Sequence, residues 1–336
     1  MVSVLIATIN DPLLVGTIKS LKDSSSGDIE FVVVNDGGKP LKVPDALVIN
    51  HDKVLGRRVS FNQAALLAKG QYLLIIDPHC SMTKDWDTKM IESVKENNLV
   101  YPVIRDMDEN TWNYRPGDYL HVSMNRQWTE KWWALKKLKD CKVEEESMCF
   151  TGCGWMISKK RYFELGGYDE ALGKYGWDGP EWSCKTWFNG GKVILRTDVI
   201  CGHVFGTNDS GRLYVCSTIP KQQYVDYMTK KWGNRINELL ERFAPVPDWH
   251  DNSKGYLMKT QDTKRKIVLR WTDETVDRDN NDTIVKKVIT HYEYVYTDNG
   301  TKDVDRRKLL ETYYDKRKKV SEEVWTLQNG QLKKSA

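Results

Sequence analysis

The chain has 336 residues, 40% of them hydrophobic, with 13 Trp and 16 Tyr, which suits one large α/β domain plus a smaller module and excludes a chain dominated by disorder. Its net charge of +4 sits in the region from Asp251 to Ala336, where 19 Lys and Arg face 15 Asp and Glu; the rest of the chain is balanced. Seven cysteines at positions 80, 141, 149, 153, 184, 201 and 216 show neither paired C-x-x-C spacing nor scaffold density, which excludes a disulfide-stapled fold and fits reduced thiols in a cytoplasmic protein.

The opening run from Met1 to Thr8 is too short to span a bilayer and lacks the basic start and cleavage site of a signal peptide, so neither secretion nor membrane insertion is expected. Val2 to Ala7 reads as a β-branched strand that ends at Thr8-Ile-Asn-Asp-Pro12, where turn chemistry can start a helix. A second strand, Ile29 to Val34, ends at Asn35-Asp36-Gly37-Gly38. A helix from about Arg57 to Lys69 then leads to a third strand, Tyr72 to Ile76. This alternation predicts a parallel sheet with right-handed crossovers.

Ligands of open α/β sheets bind beyond the carboxyl ends of the strands. Here those ends are Thr8 to Asn10, Asn35-Asp36 and Asp77 to His79, each polar or acidic, and no glycine-rich phosphate loop follows the first strand. A dinucleotide-type or P-loop site is therefore disfavoured.

From Asp106 to Met148 periodicity is poor, and Trp112, Trp128, Trp132 and Trp133 gather among charges. Regular patterns resume with a strand over Cys149 to Ser158 and helices over Lys159 to Leu165 and Glu181 to Phe188. Short strands over Lys192 to Leu195 and Val199 to Phe205 follow. Tyr224 to Phe243 is patterned as one amphipathic helix, and Pro245 and Pro247 mark a domain boundary, giving a first domain over 1–244 and a module over 245–336. In the module, Lys266 to Trp271 and Ile284 to Tyr296 read as strands, Asp298-Asn299-Gly300 as a turn, and Asp303 to Lys319 as a helix, a small α+β extension.

The sharpest local feature is Asp77-Pro-His79, where a buried strand runs out. Period-two geometry sends Asp77 and His79 to the same side, and Pro78 fixes the turn between them, so the two can share one cation. An oxygen and nitrogen pair suits Mn²⁺ better than an all-oxygen Mg²⁺ cage.

Asp77-Pro-His-Cys80 resembles the D-S-H-C element of the polypeptide N-acetylgalactosaminyltransferases, a family related to the wider family 2 glycosyltransferases. Thr151-Gly-Cys-Gly-Trp-Met-Ile through Leu165-Gly-Gly-Tyr-Asp169 is similar to that family's A-G-G-L-F-A-I segment with its L-G-x-Y-D end. Tyr175-Gly-Trp-Asp-Gly-Pro-Glu181 through Gly190-Gly191 resembles W-G-G-E-N-x-E-x-S-x-R-x-W-x-C-G-G, and Gly202-His-Val-Phe205 matches G-H-V-F. The order and spacing agree from residue 1 to about 243.

The resemblance implies a GT-A fold, a Rossmann-like mixed sheet with helices on both faces, and hexosyl or N-acetylhexosaminyl transfer from a UDP-sugar with Mn²⁺ or Mg²⁺. It makes Asp77, His79 and His203 the metal ligands, and it places Thr8, Asp36 and Arg57 or Arg58 against the nucleotide. Gly152 and Cys153 correspond to the glycine pair beside the donor sugar, with Trp155 and Trp177 shaping that pocket. The Glu of W-G-G-E-N has no direct match when Trp177 is aligned with its Trp and two residues are deleted. Either Asp178 or Glu181 then supplies the carboxylate.

Family members acting on proteins carry an N-terminal anchor and a disulfide-dependent lectin module, whereas this sequence has no cysteine after Cys216. No lectin domain is expected. The tail instead offers basic clusters at Lys264 to Lys266, Arg306 to Lys308 and Lys316 to Lys319, with aromatic residues at Trp271 and Tyr292 to Tyr296. Basic groups neutralise phosphates, aromatic rings stack on exposed bases, and an enzyme acting on a base in a duplex must first extrude it. The expected acceptor is therefore a hydroxymethylated pyrimidine of DNA, as in bacteriophage DNA modification in the host cytoplasm. A protein Ser/Thr hydroxyl or a surface polysaccharide is the alternative, and a non-catalytic carbohydrate- or nucleic-acid-binding protein a third.

Overall fold

The computed structural model describes residues 1–133, 135–205, 219–244 and 246–248, and the backbone of the strands that lie between 253 and 334. The residues fall into two compact units, one comprising 1–123 and 129–233, the other 124–128 and 234–336.

The first unit opens β1 (Val2–Thr8), α1 (Leu14–Ser24), β2 (Ile29–Asp36), β3 (Ala46–His51), α2 (Arg57–Leu67), β4 (Tyr72–Ile76) and β5 (Cys80–Met82). It continues α3 (Trp86–Val94), β6 (Leu99–Asp106), β7 (His121–Met124), β8 (Glu130–Trp133), β9 (Glu144–Glu146), β10 (Trp155–Ser158), α4 (Lys159–Glu164), α5 (Asp178–Trp187), β11 (Val193–His203) and α6 (Lys221–Trp232). The main sheet has the order β3-β2-β1-β4-β10-β6-β11-β5, with β9 on β11, while β7 and β8 form a separate pair. Strands β1 to β4 are parallel to one another, but β10 runs antiparallel between β4 and β6, and β5 antiparallel to β11, so the sheet is mixed.

Alternation along β1 builds both core layers. Val4 and Ile6 pack with Leu14, Ile18 and Leu21 of α1, while Leu5 and Ala7 face Phe61, Ala64 and Ala65 of α2. Every residue of β1 is buried, as expected of a parallel strand covered on both faces. No described helix is long and apolar enough to cross a membrane.

Four expected elements differ. The strand anticipated over Cys149 to Ser158 is confined to Trp155–Ser158, because Gly154 adopts φ +70° and breaks the extended run before it. The two strands expected over Lys192 to Phe205 are one, β11, whose pairing with β6 shifts between Arg196 and Ile200, beside Pro102, which has no N–H for the ladder. The helix expected over Tyr224 to Phe243 breaks at Gly233, φ +56°, into α6 and α7 (Ile236–Phe243). The helix expected over Asp303 to Lys319 is strand, because Thr312, Tyr313 and Tyr314 favour the extended chain and their segment pairs with both neighbours.

The second unit thus combines α7 with an antiparallel sheet in sequential order: β12 (Val246–Asp248), β13 (Ser253–Lys259), β14 (Ile267–Arg278), β15 (Ile284–Tyr296), β16 (Lys302–Asp315), β17 (Lys318–Gln328) and β18 (Gln331–Lys334). Asp298-Asn299-Gly300 lies outside the described residues.

Candidate active site

The carboxyl ends of β1, β2 and β4 lie side by side, which aligns Thr8, Asp36 and Asp77 along one edge of the sheet. Strand β11 reaches the same edge. Its pairing with β5 sets His203 opposite Cys80, the residue after His79, and the Asp77, His79 and His203 ligand atoms lie within 4.8 Å of one another. His203 Nε2 is 3.3 Å from Asp77 Oδ2, and the two imidazoles meet edge-on with centroids 4.8 Å apart.

The donor chemistry fits a divalent cation: one carboxylate and two imidazoles converge on a common point. His79 Nδ1 is held by Asp11 Oδ2 at 3.0 Å, leaving Nε2 as its free donor atom. A carboxylate behind a ligating imidazole fixes its tautomer and orientation. Burial alone would raise the Asp77 carboxyl, but Arg57 foremost, with His203 and His79, holds it far below the usual carboxylate range. Asp77 is therefore a carboxylate at neutral pH. Asp11, in the turn after β1, was not singled out by sequence; its only signal is its place at a strand end.

Arg57 and Arg58 are both buried and both bridge carboxylates. Arg57 Nη1 donates to Asp77 Oδ1 at 2.6 Å, Nη2 to the Gly152 carbonyl at 2.6 Å, and its Nε is 3.1 Å from Asp178 Oδ2. Arg58 pairs with Asp178 at 3.5 Å and with Glu181, whose other oxygen meets Lys185 Nζ at 2.6 Å. A buried chain of alternating charge results, running Asp77, Arg57, Asp178, Arg58, Glu181, Lys185 and summing to zero. Such pairing is what makes charges tolerable at low dielectric.

Position along this chain separates the two candidate carboxylates. Glu181 is 2% exposed and accepts from Arg58, Lys185 and the Asp169 N–H, so it holds the start of α5 in place. Asp178 borders the metal site through Arg57. Its carboxyl is raised by burial, which Arg57 and Arg58 oppose and Glu181 and Asp77 reinforce. Gly152 is required beside it: a Cβ there would come within 2.7 Å of the Asp178 Cβ. Glu130 on β8, missed in sequence, lies behind the same helix start, where a Cβ on Gly179 would meet its Oε2 at 2.1 Å. Burial and the Asp178 charge push its carboxyl up to about 8.

The remaining candidates are placed as follows. Asp36 is fully buried, and its carboxylate accepts from the Leu55 and Gly56 N–H groups and meets His51 Nδ1, all at 2.8 Å, pinning the loop into α2. Thr8 Oγ1 accepts from the Asp11 N–H at 3.0 Å, which shapes the turn that carries Asp11. Trp155 is corrected from donor pocket to core: it is fully buried against Phe150, Trp182 and Tyr168, because β10 lies inside the sheet. Trp177 is turned toward α6, its ring stacked on Tyr224 at 4.0 Å, so it anchors the start of α5. Cys153 is buried beneath the triad, its Sγ 3.5 Å from that of Cys80.

Trp112 and Trp132 do not share one cluster. Trp112 packs on α1 at Gly16, whereas Trp132 stacks on Tyr119 at 4.7 Å; Tyr119 meets Phe205 at 5.8 Å, and Phe205 meets His203 at 4.4 Å. Tyr119 and Phe205 are exposed, at 37% and 41%, so an accessible aromatic run ends on His203.

This sheet order, with Asp77 and His79 at the end of β4 and His203 at the end of β11, is that of a GT-A fold. A solved structure of GalNAc-T7 with UDP, GalNAc and Mn²⁺ superposes with a TM-score of 0.62 at 16% identity, covering 94% of this chain and 72% of that one. Residues 3–165 match the family described as Glycosyl transferase family 2. The chain is similar to that family over this region and is distantly similar to polypeptide GalNAc-transferases. The putative polypeptide N-acetylgalactosaminyltransferase 13 of Drosophila melanogaster is 26% identical over 233 residues, 61% of this chain and 41% of the relative. Polypeptide N-acetylgalactosaminyltransferase 3 of Taeniopygia guttata is 30% identical over 221 residues, 62% of this chain and 33% of the relative. The chain thus spans well under half the length of these relatives.

Proposed function

We propose that the protein transfers a hexose or N-acetylhexosamine from a UDP-sugar to a hydroxyl group, with Mn²⁺ or Mg²⁺ held by Asp77, His79 and His203. The convergence of these three ligands at the carboxyl edge of a GT-A sheet carries the proposal. The bound cation would neutralise charge developing on the departing diphosphate. Asp11 orients His79, Arg57 keeps Asp77 ionised, and Asp178 presents a carboxylate for the donor sugar hydroxyls beside Gly152. Thr8 and Asp36 shape the nucleotide side by holding the turn after β1 and the loop before α2.

The acceptor we favour is a hydroxymethylated pyrimidine in DNA, with the C-terminal region from 245 as the module that engages the phosphate backbone. Two observations support it. The run Trp132, Tyr119, Phe205 ends on His203 and offers accessible rings on which an extruded base can stack. In the second unit, Tyr292, Tyr294 and Tyr296 recur at alternate positions of β15, with Arg307 and Arg306 paired opposite Tyr292 and Glu293.

The test is UDP release from a UDP-sugar panel with Mn²⁺, followed by mass spectrometry of hydroxymethylcytosine DNA, Ser/Thr peptides and glycans offered as acceptors. Release that requires Asp77 and His203, with label in the DNA, supports the proposal. Label in peptide or glycan overturns the DNA acceptor and keeps the transferase. Binding of UDP-sugar or DNA without release leaves a non-catalytic binding protein.

A further inference from the structure

Three of the six described cysteines, all free thiols, meet at one point. Cys80 comes from β5, Cys201 from β11 and Cys153 from the loop after Gly152; their sulfur atoms lie within 4.8 Å of one another, with Cys80 and Cys153 at 3.5 Å. Cys80 and Cys201 are fully buried and Cys153 is 8% exposed, among Val199, Met82 and Ile104 of one core layer. We propose that this tri-thiol cluster is a second metal site, separate from Asp77, His79 and His203, that takes a soft thiophilic cation in three-coordinate sulfur geometry.

The backbone explains the convergence. In the β5–β11 ladder Met82 pairs with Cys201 and Cys80 with His203, so alternate residues place Cys80 and Cys201 diagonally on one face. The loop then delivers Cys153 to the same face through Gly154, whose φ of +70° suits glycine and whose added Cβ would stand 3.2 Å from Cys201 Sγ.

The dimensions fit. With metal–sulfur bonds of about 2.3 Å, three sulfurs around one ion in a plane stand about 4 Å apart. The observed 3.5 Å and the 4.8 Å limit bracket that value, so shifts of tenths of an ångström complete the site. The ligand set has no oxygen or nitrogen and lies in apolar surroundings, which disfavours Mg²⁺, Ca²⁺ and Mn²⁺, while the lack of a fourth ligand among the described residues disfavours Zn²⁺, so the site selects soft cations such as Cu⁺ or Cd²⁺. Binding forms three metal–sulfur bonds and releases the thiol protons to solvent. A bound ion would clip β5, β11 and the loop of Gly152 together, directly behind His79 and His203. Nothing in this site depends on sugar transfer.

The test titrates the reduced full-length protein with Cd²⁺ and follows the sulfur-to-cadmium charge-transfer absorption. One equivalent should produce the band; Cys153→Ser should abolish it, while Cys141→Ser and Asp77→Asn should keep it. Cadmium NMR of the wild-type protein, whose shift reports the number of coordinating sulfurs, should show three, and decides the matter should Cys153→Ser fail to fold. No band in the folded wild type, a full band in Cys153→Ser, or a shift for fewer than three sulfurs overturns the site.

Discussion

Arg57 lies between Asp77 and Asp178, 2.6 Å from an oxygen of the first through Nη1 and 3.1 Å from an oxygen of the second through Nε. A buried guanidinium thereby joins the carboxylate proposed to hold the cation to the carboxylate beside Gly152. Burial opposes the Arg57 charge, but Asp77 and Asp178 outweigh it and raise its pKa well above the ordinary value. It stays cationic throughout.

Removing that cation should therefore be costly and cation-dependent. Arg57→Met leaves two buried carboxylates facing each other, and losing one partner of a buried pair typically costs about 3–5 kcal/mol. A divalent ion at Asp77 supplies the missing positive charge. Thermal unfolding should show a larger Mn²⁺-induced stabilisation in Arg57→Met than in wild type; an equal or smaller one would mean Arg57 does not share its site with the ion.

Asp77→Asn and His203→Ala each delete one proposed ligand. Transfer, read as UDP released, should fall by a factor on the order of 10²–10³, the scale on which loss of charge stabilisation acts on a transition state. Glu181→Gln, by contrast, should act chiefly through stability, because Glu181 bonds Arg58, Lys185 and the Asp169 N–H rather than the site. Urea unfolding alongside the kinetics separates the two behaviours.

Gly152 tests how closely the donor loop approaches Asp178. In Gly152→Ala the new methyl must displace Asp178 or the loop, since its Cβ would lie 2.7 Å from the Asp178 Cβ and 2.9 Å from Oδ2. Overpacking of this kind costs about 1–3 kcal/mol. Activity should drop further than stability accounts for, and Gly152→Ala should cost less stability in an Asp178→Gly background, which removes the clashing Cβ, than in wild type. A double-mutant cycle on unfolding free energies reads that coupling directly.

The pairing of Asp77 with His79 was legible in sequence because period-two spacing and a short motif are local properties, whereas His203, 124 residues after His79, entered only through the resemblance of Gly202-His-Val-Phe205. What a buried carboxylate bonds is not local. Asp36 and Glu181 read as ligand-contacting acids, and only the fold shows backbone N–H groups, His51, Arg58 and Lys185 occupying them. The gap placed after Trp177 came from matching one tryptophan to another. Counting back from Ser183 without a gap sets Asp178 at the Glu of W-G-G-E-N, and Asp178 is the acid the structure brings to Arg57. The strand at 302–315 was misjudged because its charges mask a pattern that pairing with β15 and β17 decides.

Glu130 gives the pH dependence a definite sign. Its folded carboxyl sits at about 8 against an ordinary 4.5, through burial first and the Asp178 charge second. Between these values the unfolded chain has released the proton and the folded chain keeps it, so stability falls as pH rises. The contribution is complete below about 4.5 and lost as pH climbs through about 8. Glu130→Gln retains the neutral shape and cannot ionise. Its unfolding free energy should be close to wild type at pH 5 and exceed it at pH 9, by on the order of 2 kcal/mol once partial solvent access is allowed for. Equal pH slopes for the two proteins would place the Glu130 carboxyl in contact with solvent or with an unrecognised cation. Because a charge on Glu130 would repel that on Asp178, a transfer rate that declines over this range in wild type and stays level in Glu130→Gln would tie the acid to the donor side of the site.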